Sequence, residues 1–196
     1  MLYKIAHILR DKFPLLWILV GAINSLFFKM RYNSKLREIP TILQKNSNKY
    51  IVKALEKNDC EKLEQFFINQ PIEAFTYFKP HKFANKDLQQ LVCDKSFLAY
   101  IVLEENNIVG YFFLRCTFMG KCYRGYITDV NHRRRGINKL MGICATEIAV
   151  LLNIRMFGSI SPNNAASMKS AEAINEIKII ETLPNGDYLV AYLPRK

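Results

Sequence analysis

The chain has 196 residues, half of them apolar, which is enough to build one core and is the size of a single domain. Its 28 Lys and Arg outnumber 17 Asp and Glu, and the net charge of +11 favours an anionic partner: nucleic acid, acidic lipid or a phosphorylated small molecule. Nine basic and two acidic residues within residues 1–49 supply +7 of that charge and leave +4 for the rest. A body this mildly charged argues against a nucleic-acid partner.

Five cysteines are spread along the chain without a Cys-x-x-Cys motif or a histidine at metal-binding spacing. An odd number of cysteines, mostly within apolar runs, is typical of reduced core thiols in a reducing compartment. We therefore expect no disulfide, no structural metal and a cytoplasmic location.

The most apolar stretch of the chain is residues 13–28, which includes Trp17 and has basic residues on both sides. It is shorter than the ~20 residues that a membrane-spanning helix needs, and Asn24 and Ser25 interrupt it. One interpretation is a helix in the membrane interface with Lys and Arg at anionic headgroups, which makes the protein peripheral on the inner face of the membrane. The other is a helix packed on the domain or on a second copy of the chain, which leaves a homodimer open.

Residues 34–49 are polar and basic and include Pro40, a composition that predicts a linker. The chain is therefore divided into two parts. Residues 1–49 form a helical appendage with its linker, and residues 50–196 form the folded domain.

From residue 50 onward, short apolar runs and helical periodicity alternate with turn signals such as Pro184-Asn185-Gly186. Asn58 and Glu61 have the spacing of a capping box. The order is strand, two helices, three antiparallel strands, helix, strand, helix and hairpin, which predicts an α+β fold. The predicted strands are 50–55, 96–103, 108–118, one ending at Val130, 154–160, 176–183 and 187–193, and the predicted helices are 58–69, 85–94, 137–152 and 161–174.

Three consecutive arginines and a glycine, Arg133 to Gly136, join the strand that ends at Val130 to the long helix 137–152. A helix N-terminus exposes unpaired N–H groups and the positive end of the peptide dipoles, which suits an anion. The glycine lets phosphate oxygens approach the backbone, and the arginines add charge-assisted hydrogen bonds. No Ser, Thr or Asp caps the helix within the arginine run. His132 beside it is expected to position the loop or to face solvent, and a solvated basic turn is the alternative for the loop itself.

Arg133-Arg134-Arg135-Gly136-Ile137-Asn138 resembles the pyrophosphate loop of the GNAT superfamily of acyl-CoA-dependent N-acetyltransferases, whose pattern is Arg or Gln, two residues, Gly, one residue, Gly or Ala. Asn138 departs from that pattern. One strand later, Pro162-Asn163-Asn164-Ala165-Ala166-Ser167 resembles the family's Pro-x-Asn-x-Ala-Ser, and the alternative is a plain helix start with Ser161 as cap. The order of elements across about residues 50–193 is also similar to the GNAT fold, a mixed, mostly antiparallel central sheet flanked by helices.

The resemblance implies acetyl-CoA as cosubstrate and no metal. It implies that the strand ending at Val130 parts from the strand 154–160, so that the pantetheine arm binds like an added strand and the backbone N–H near Val130 acts as oxyanion donor. Lys139 then reaches the 3′-phosphate, and Asn164 supports the arm. The residues predicted to bind the cosubstrate are Val130, Arg133, Arg134, Arg135, Gly136, Ile137, Asn138, Lys139, Asn164 and Ser167.

The acid that the family often uses is missing, because the position of its tyrosine falls at Ala171, and Asn175-Glu176 replaces the usual Gly-Phe at the helix end. Asp129, at the end of the central strand, is one candidate base, and a carboxylate paired with the arginines of the next turn is the alternative. Phe78-Lys79-Pro80-His81-Lys82-Phe83 resembles a Phe-x-Pro-His-x-Phe segment in the loop that walls the acceptor site of some GNAT members. His81 is therefore the second catalytic candidate, and an exposed turn histidine is its alternative.

The leading hypothesis is an acetyl-CoA-dependent N-acetyltransferase that transfers the acyl group directly to a small primary amine. The basic, apolar N-terminus favours work near a membrane, with an amino sugar of a surface glycan or a lipid-linked amine as acceptor. Two alternatives remain. One is a GNAT-fold module that binds CoA or a partner without turnover, and the other is a peripheral membrane-binding or nucleic-acid-binding protein that uses residues 1–49.

Overall fold

The computed structural model describes residues 14–195. Met1–Phe13 and Lys196 lie outside the described residues, and so does the first part of the predicted appendage. The described residues fold around one central sheet.

The sheet has seven strands, and together with the helices around it confirms the predicted α+β class. The strands are Ile51–Ala54 (β1), Phe97–Glu104 (β2), Asn107–Thr117 (β3), Lys121–Thr128 (β4), Arg155–Ile160 (β5), Asn175–Thr182 (β6) and Tyr188–Pro194 (β7). Their order across the sheet is β1-β2-β3-β4-β5-β7-β6. Each neighbouring pair is antiparallel except β4 and β5, which are parallel. The predicted mixed, mostly antiparallel sheet is therefore confirmed.

Helices cover both faces of this sheet. Within the described residues the α-helices are Pro14–Leu36 (α1), Ile39–Asn46 (α2), Cys60–Ile68 (α3), Asn85–Cys93 (α4), Ile137–Leu152 (α5) and Ala165–Glu172 (α6). Side chains of α1, α2, α5 and α6 share one apolar core, which includes the fully buried Phe28 and Met141. Side chains of α3 and α4 share a second core on the opposite face, which includes the fully buried Leu63 and Leu88.

Two helix starts differ from the prediction. The capping box uses Glu56 and Asp59 around a 3-10 turn, so α3 begins at Cys60. Ionised carboxylates accept backbone hydrogen bonds more strongly than the predicted cap, the Asn58 side chain, would. Helix α6 begins after Asn164 rather than after Ser161, whose carbonyl and hydroxyl close a separate turn.

The polar stretch that the sequence predicts as a linker is helical. Helix α2 lies there, and its Ile39 and Leu43 are buried in the core beneath α5 and β1. The second half of α1 belongs to the same core through Phe28 and Tyr32. An apolar side chain on every helical turn therefore joins this segment to the domain.

Asn24, which interrupts the apolar stretch in the sequence, anchors α1 to the sheet. Its amide nitrogen donates to Ser96 Oγ at 2.9 Å and to Cys116 O at 3.0 Å, and its oxygen accepts from Phe118 N at 3.0 Å. Upstream of Asn24 the helix leaves the domain surface, and Leu19 is 54% exposed. None of the described helices combines the length and the apolarity that crossing a bilayer requires.

Strands β4 and β5 part soon after they meet. They pair only from Lys121↔Arg155 to Tyr123↔Phe157, and their remaining residues have no mutual partner. The result is a fork between residues 124–128 and residues 158–160. Helix α5 starts just beyond the open end of this fork, at the bounds that the sequence predicts.

Candidate active site

The turn between β4 and α5 presents its backbone to solvent. Asp129 caps a 3-10 turn, and Arg134 and Gly136 then adopt left-handed backbone with φ of 61° and 83°. That conformation suits glycine and is uncommon for arginine, so the loop has a definite shape. Nothing lies within 4 Å of the position that a Cβ on Gly136 would take, so the space in front of the helix is open.

The first turn of α5 keeps its N–H groups unpaired. Leu140 makes the first backbone hydrogen bond into the helix, to Gly136 O at 3.0 Å. Within the part of the chain that the structure describes, no acceptor pairs with the N–H groups of residues 133–139. The Asn138 side chain turns toward β4, where its oxygen accepts from Thr128 Oγ1 at 2.7 Å. This helix end can therefore bind an anion through its N–H groups and its dipole.

The three loop arginines have different surroundings. Arg135 Nη1 lies 3.6 Å from Glu104 Oε2, a partly exposed ion pair. Arg133 and Arg134 are exposed, and neither forms an ion pair with a residue in the described range. Their guanidinium groups can therefore contact a phosphate at the helix end.

His132 ties this loop to the end of β2. Its Nε2 lies 3.2 Å from Glu104 Oε2, and its Nδ1 is hydrogen-bonded to Asp129 Oδ2. Both ring nitrogens therefore face carboxylate oxygens. Lys49 extends the network, with Nζ 3.1 Å from Glu104 Oε1.

Asp129 is bonded to its own turn rather than to the arginines that follow. It pairs with His132 because a 3-10 turn brings residues i and i+3 together. It also accepts from Gln70 Nε2 at 3.2 Å and from Asn131 N at 3.3 Å. Burial raises the pKa of Asp129, but the hydrogen bonds from His132, Gln70 and Asn131 outweigh it and lower the pKa below its ordinary value. A carboxylate bonded in this way is a weak proton acceptor, and its role as the base stays a prediction.

Gln70 engages the backbone N–H that the sequence predicts as oxyanion donor. Val130 N donates to Gln70 Oε1 at 3.0 Å, while Gln70 Nε2 donates to Phe66 O at 3.2 Å. Gln70 is buried, with 8% of its surface exposed. The Val130 N–H can reach a thioester oxygen only if Gln70 moves. Gln70 could not be recognised from the sequence, because a single glutamine after a helix has no distinguishing pattern.

His81 is partly buried, unlike the exposed turn histidine considered as its alternative. Its Nδ1 donates to Lys82 O at 2.7 Å, so its Nε2 accepts from Tyr111 Oη at 2.9 Å. Burial lowers the pKa of His81, and the hydrogen bond to Lys82 O opposes this effect only in part. The ring is therefore neutral at pH 7, and its accepting nitrogen is already bonded. The surrounding aromatic rings are those of Phe67, Phe83, Phe97, Tyr111 and Phe113.

The second motif forms the start of α6. Asn164 Oδ1 accepts from Ser167 N at 3.1 Å and so satisfies one of the unpaired N–H groups of the first turn. Asn164 and Ser167 are thus brought together as a helix cap. Their contact with a pantetheine arm stays a prediction.

Arg124, which was not among the residues predicted from the sequence, lies at the closed end of the fork. Ala171, at the position where the family's tyrosine falls, is buried in the core. Arg124 on β4 is also buried, and its Nη2 lies 3.4 Å from Tyr126 Oη. A signal was present, since Cys122, Arg124 and Tyr126 occupy alternate positions that share one face of a strand.

A pocket of ≈ 350 Å³ lies between the β2–β3 turn and the loop. Its lining includes Glu104, Glu105, Asp129 and His132. The three carboxylates disfavour a phosphate there. An anion therefore fits the start of α5 better than this pocket.

No known family profile and no curated protein matches the chain by sequence. Solved structures with the same fold include PaiA N-acetyltransferase from Thermoplasma acidophilum in complex with coenzyme A, with a TM-score of 0.63 and 12% identity over 74% of this chain and 98% of that one. YncA, a putative acetyltransferase from Salmonella typhimurium with acetyl-CoA, has a TM-score of 0.61 and 13% identity over 75% and 94%. A ribosomal-protein-S5-alanine acetyltransferase from Vibrio fischeri has a TM-score of 0.59 and 16% identity over 76% and 94%.

The strand order, the fork and these similarities together define the class of the fold. The chain has the fold of the GNAT acetyltransferases, as its sequence motifs predict. At this level of identity the likeness extends to the fold alone.

Proposed function

We propose that the protein is an N-acetyltransferase that moves an acetyl group from acetyl-CoA to a small primary amine by direct transfer. The observation that carries this proposal is the fork between β4 and β5, which opens next to a helix end with unpaired N–H groups and two arginines without ion-pair partners in the described chain. A fork with exposed strand edges accepts an extended amide-containing arm, and the helix end accepts a pyrophosphate.

The residues at the open end fit the cosubstrate. Arg133, Arg134 and the N–H groups from Gly136 to Lys139 hold the pyrophosphate, with Arg135 shared between it and Glu104. The exposed Lys139 side chain serves the 3′-phosphate, and Asn164 with Ser167 faces the arm. The cosubstrate supplies an activated thioester, and the chain supplies its position beside the acceptor.

The candidate hydrogen-bond donor and bases for the reaction are a backbone N–H at the end of β4 and two side chains. The Val130 N–H can donate to a carbonyl oxygen of the cosubstrate when Gln70 rotates away from it. His81, whose Nε2 accepts from Tyr111, and Asp129 remain the candidate bases.

An acceptor near a membrane suits the N-terminal helix. Between residues 16 and 30, α1 exposes many large apolar side chains, and the exposed Lys29 and Arg31 lie at the C-terminal end of this stretch. Such a surface binds anionic lipid through apolar contact and charge together. We infer peripheral attachment to the inner face of a membrane and an amino sugar of a surface glycan, or a lipid-linked amine, as acceptor. The exposed large apolar side chains of α1 are Leu16, Ile18, Leu19, Val20, Ile23, Leu26, Phe27 and Met30.

A CoA-binding module without turnover is the second candidate. Two observations favour it: Gln70 engages the Val130 N–H, and Ala171 stands in place of a side-chain acid. Release of free thiol from acetyl-CoA across a panel of amines separates the two candidates. Binding without release in every case would leave only the module.

The binding step is tested by thermal unfolding with acetyl-CoA. At ~100 times the dissociation constant the ligand adds about 2.7 kcal/mol, which corresponds to about 5–10 °C for a chain of this length. Arg134→Glu should remove the gain because it places a carboxylate beside the phosphates. The matched control is Arg37→Glu, an equal change of charge at an exposed site away from the loop. An equal gain in wild type and Arg134→Glu would place the ligand elsewhere.

A further inference from the structure

Arg124 is a buried cation at the closed end of the fork. Only 7% of its surface is exposed. Its Nη1 donates to Asn175 Oδ1 at 3.1 Å, its Nη2 lies 3.4 Å from Tyr126 Oη, and its Cζ lies 3.4 Å from the ring centre of Tyr192. The side chain is thus fixed by an amide oxygen and two aromatic rings.

The charge of Arg124 has no anionic partner among the residues that the structure describes. The ion pairs of that part of the chain all involve other side chains. Arg124 Nε is buried and has no hydrogen-bond acceptor. A guanidinium has five N–H donors and stays charged, and burial without a counter-charge costs free energy. An anion brought by a ligand would offset that cost.

The surroundings of Arg124 hold it in place. Asn175 is fully buried, and its amide is fixed by Thr146 Oγ1 at 2.9 Å. Tyr192 can lie against β5 because Gly158 is there, since a Cβ at that position would be 2.7 Å from Tyr192 Oη. The guanidinium is therefore preorganised.

The position of Arg124 relates it to the anion site at the start of α5. It directly follows Tyr123, the last residue of β4 that pairs with β5. From Arg124 to Asp129 the chain advances five residues, which corresponds to roughly 17 Å of extended strand. An extended arm anchored at the helix end and lying along β4 therefore ends near Arg124.

We propose that Arg124 is an anion-binding residue that holds the sulfur of the acyl-CoA cosubstrate as a thiolate when the acyl group leaves it. This inference rests on the proposed function. The amine nitrogen forms a bond to the thioester carbon, the carbon–sulfur bond breaks, and the sulfur keeps the electron pair. The ammonium proton goes to solvent, so the products are the amide, the thiolate and one proton. A guanidinium beside the sulfur replaces the side-chain acid that is absent at Ala171.

The test compares the binding of CoA and S-methyl-CoA to the wild-type protein between about pH 6 and 8, by calorimetry and by the ultraviolet absorbance of the thiolate. As the pH increases toward the ordinary pKa of a thiol, the affinity for CoA should rise by up to about tenfold per pH unit. The affinity for S-methyl-CoA should not show this rise. Both ligands carry the same phosphates. The titratable groups in contact with Arg124 are Tyr126 and Tyr192, and they are the same for both ligands. Burial raises the pKa of Tyr192, and the charge of Arg124 opposes this effect. The difference between the ligands therefore isolates the sulfur.

Arg124→Gln should abolish the pH dependence of CoA binding and leave S-methyl-CoA binding unchanged. Arg155→Gln, at an exposed arginine on β5, is the control and should behave as wild type. If the Gln variant does not fold, the wild-type comparison still decides whether CoA binds as the thiolate, and Arg124→Lys, which moves the charge, should reduce the rise. Equal pH dependence of the two ligands in wild type would overturn the inference while the proposed function stands. Failure of both CoA and S-methyl-CoA to bind would overturn the proposed function and this inference with it. A rise that survives in a folded Arg124→Gln variant would assign the thiolate to another group.

Discussion

The end of β4 is fixed by a few polar side chains that bond to one another. Gln70, Asp129 and His132 together satisfy the Val130 N–H and connect the strand end to Glu104. Removing one partner of such a buried bond costs about 1–3 kcal/mol, so each bond limits movement of the backbone. The turn in front of α5 is therefore held in one shape by bonds between described residues.

His81 predicts a specific pH dependence of stability. Its folded-state pKa is lowered below the ordinary value by burial, so the unfolded state binds more protons when the pH lies between the folded-state pKa and about 6.5. The free energy of unfolding should therefore rise with pH across this window and be lost as the pH falls through it. Urea titrations between about pH 5 and 7.5 measure the slope.

The matched variant for this prediction is His81→Asn, which keeps a polar hydrogen-bonding side chain but does not titrate. Its slope in the same window should be flatter than that of the wild type. An unchanged slope would mean that another group causes the acid sensitivity.

At the scale of elements, α1 consists of two different halves. The half from Asn24 onward is tied to the sheet by three hydrogen bonds and by Phe28, which is fully buried. The half before it exposes large apolar side chains, and the basic residues Lys29, Arg31 and Lys35 lie in the anchored half. An amphipathic contact with lipid needs this combination of fixed attachment and exposed apolar surface.

The exposed half of α1 should bind vesicles that contain anionic lipid. Leu19→Asp with Ile23→Asp should reduce co-sedimentation with such vesicles, because both side chains are about half exposed and contribute apolar contact. Thermal stability should not change, since neither side chain belongs to a core. Ile180→Asp, at an exposed residue of β6, is the control. Equal sedimentation of wild type and double variant would remove the membrane proposal and leave the acetyltransferase proposal untouched.

At the scale of the whole molecule, one apolar core contains residues from both sides of residue 49, where the charge distribution suggests a domain boundary. Phe28, Tyr32, Ile39 and Leu43 share a core with β-strand and α5 side chains. The basic N-terminal segment therefore contributes both charge at the surface and packing in the interior. The net charge of +11 can favour anionic ligands while the fold depends on the same segment.

Two truncations should have very different consequences. Deletion of residues 1–23 should leave a cooperatively folded protein, because the described part of that segment is exposed. Deletion of residues 1–36 also removes Phe28 and Tyr32, and large aromatic truncations in a core cost about 3–5 kcal/mol each against a total stability of about 5–15 kcal/mol. Far-UV circular dichroism and urea titration measure both. A stable fold after the longer deletion would show that the segment is a separate appendage.

The sequence by itself determined the order of elements, the bounds of α5 and the position of the arginine–glycine loop before it. These features depend on local signals: apolar periodicity fixes helix and strand, and a glycine after basic residues fixes a helix start without a side-chain cap. The two motifs that resemble the GNAT family are also local, and the observed strand order agrees with them.

Only the tertiary structure decided which side chains meet. Gln70 reaches Val130 across sixty positions of sequence, and Arg124 meets Asn175 across fifty-one. The change of α2 from a predicted linker to a core helix has the same origin, because Ile39 and Leu43 are stabilised by partners on α5 and β1 rather than by their neighbours in the chain. Burial and long-range hydrogen bonding are properties of the assembled core, and no short window of sequence contains both partners.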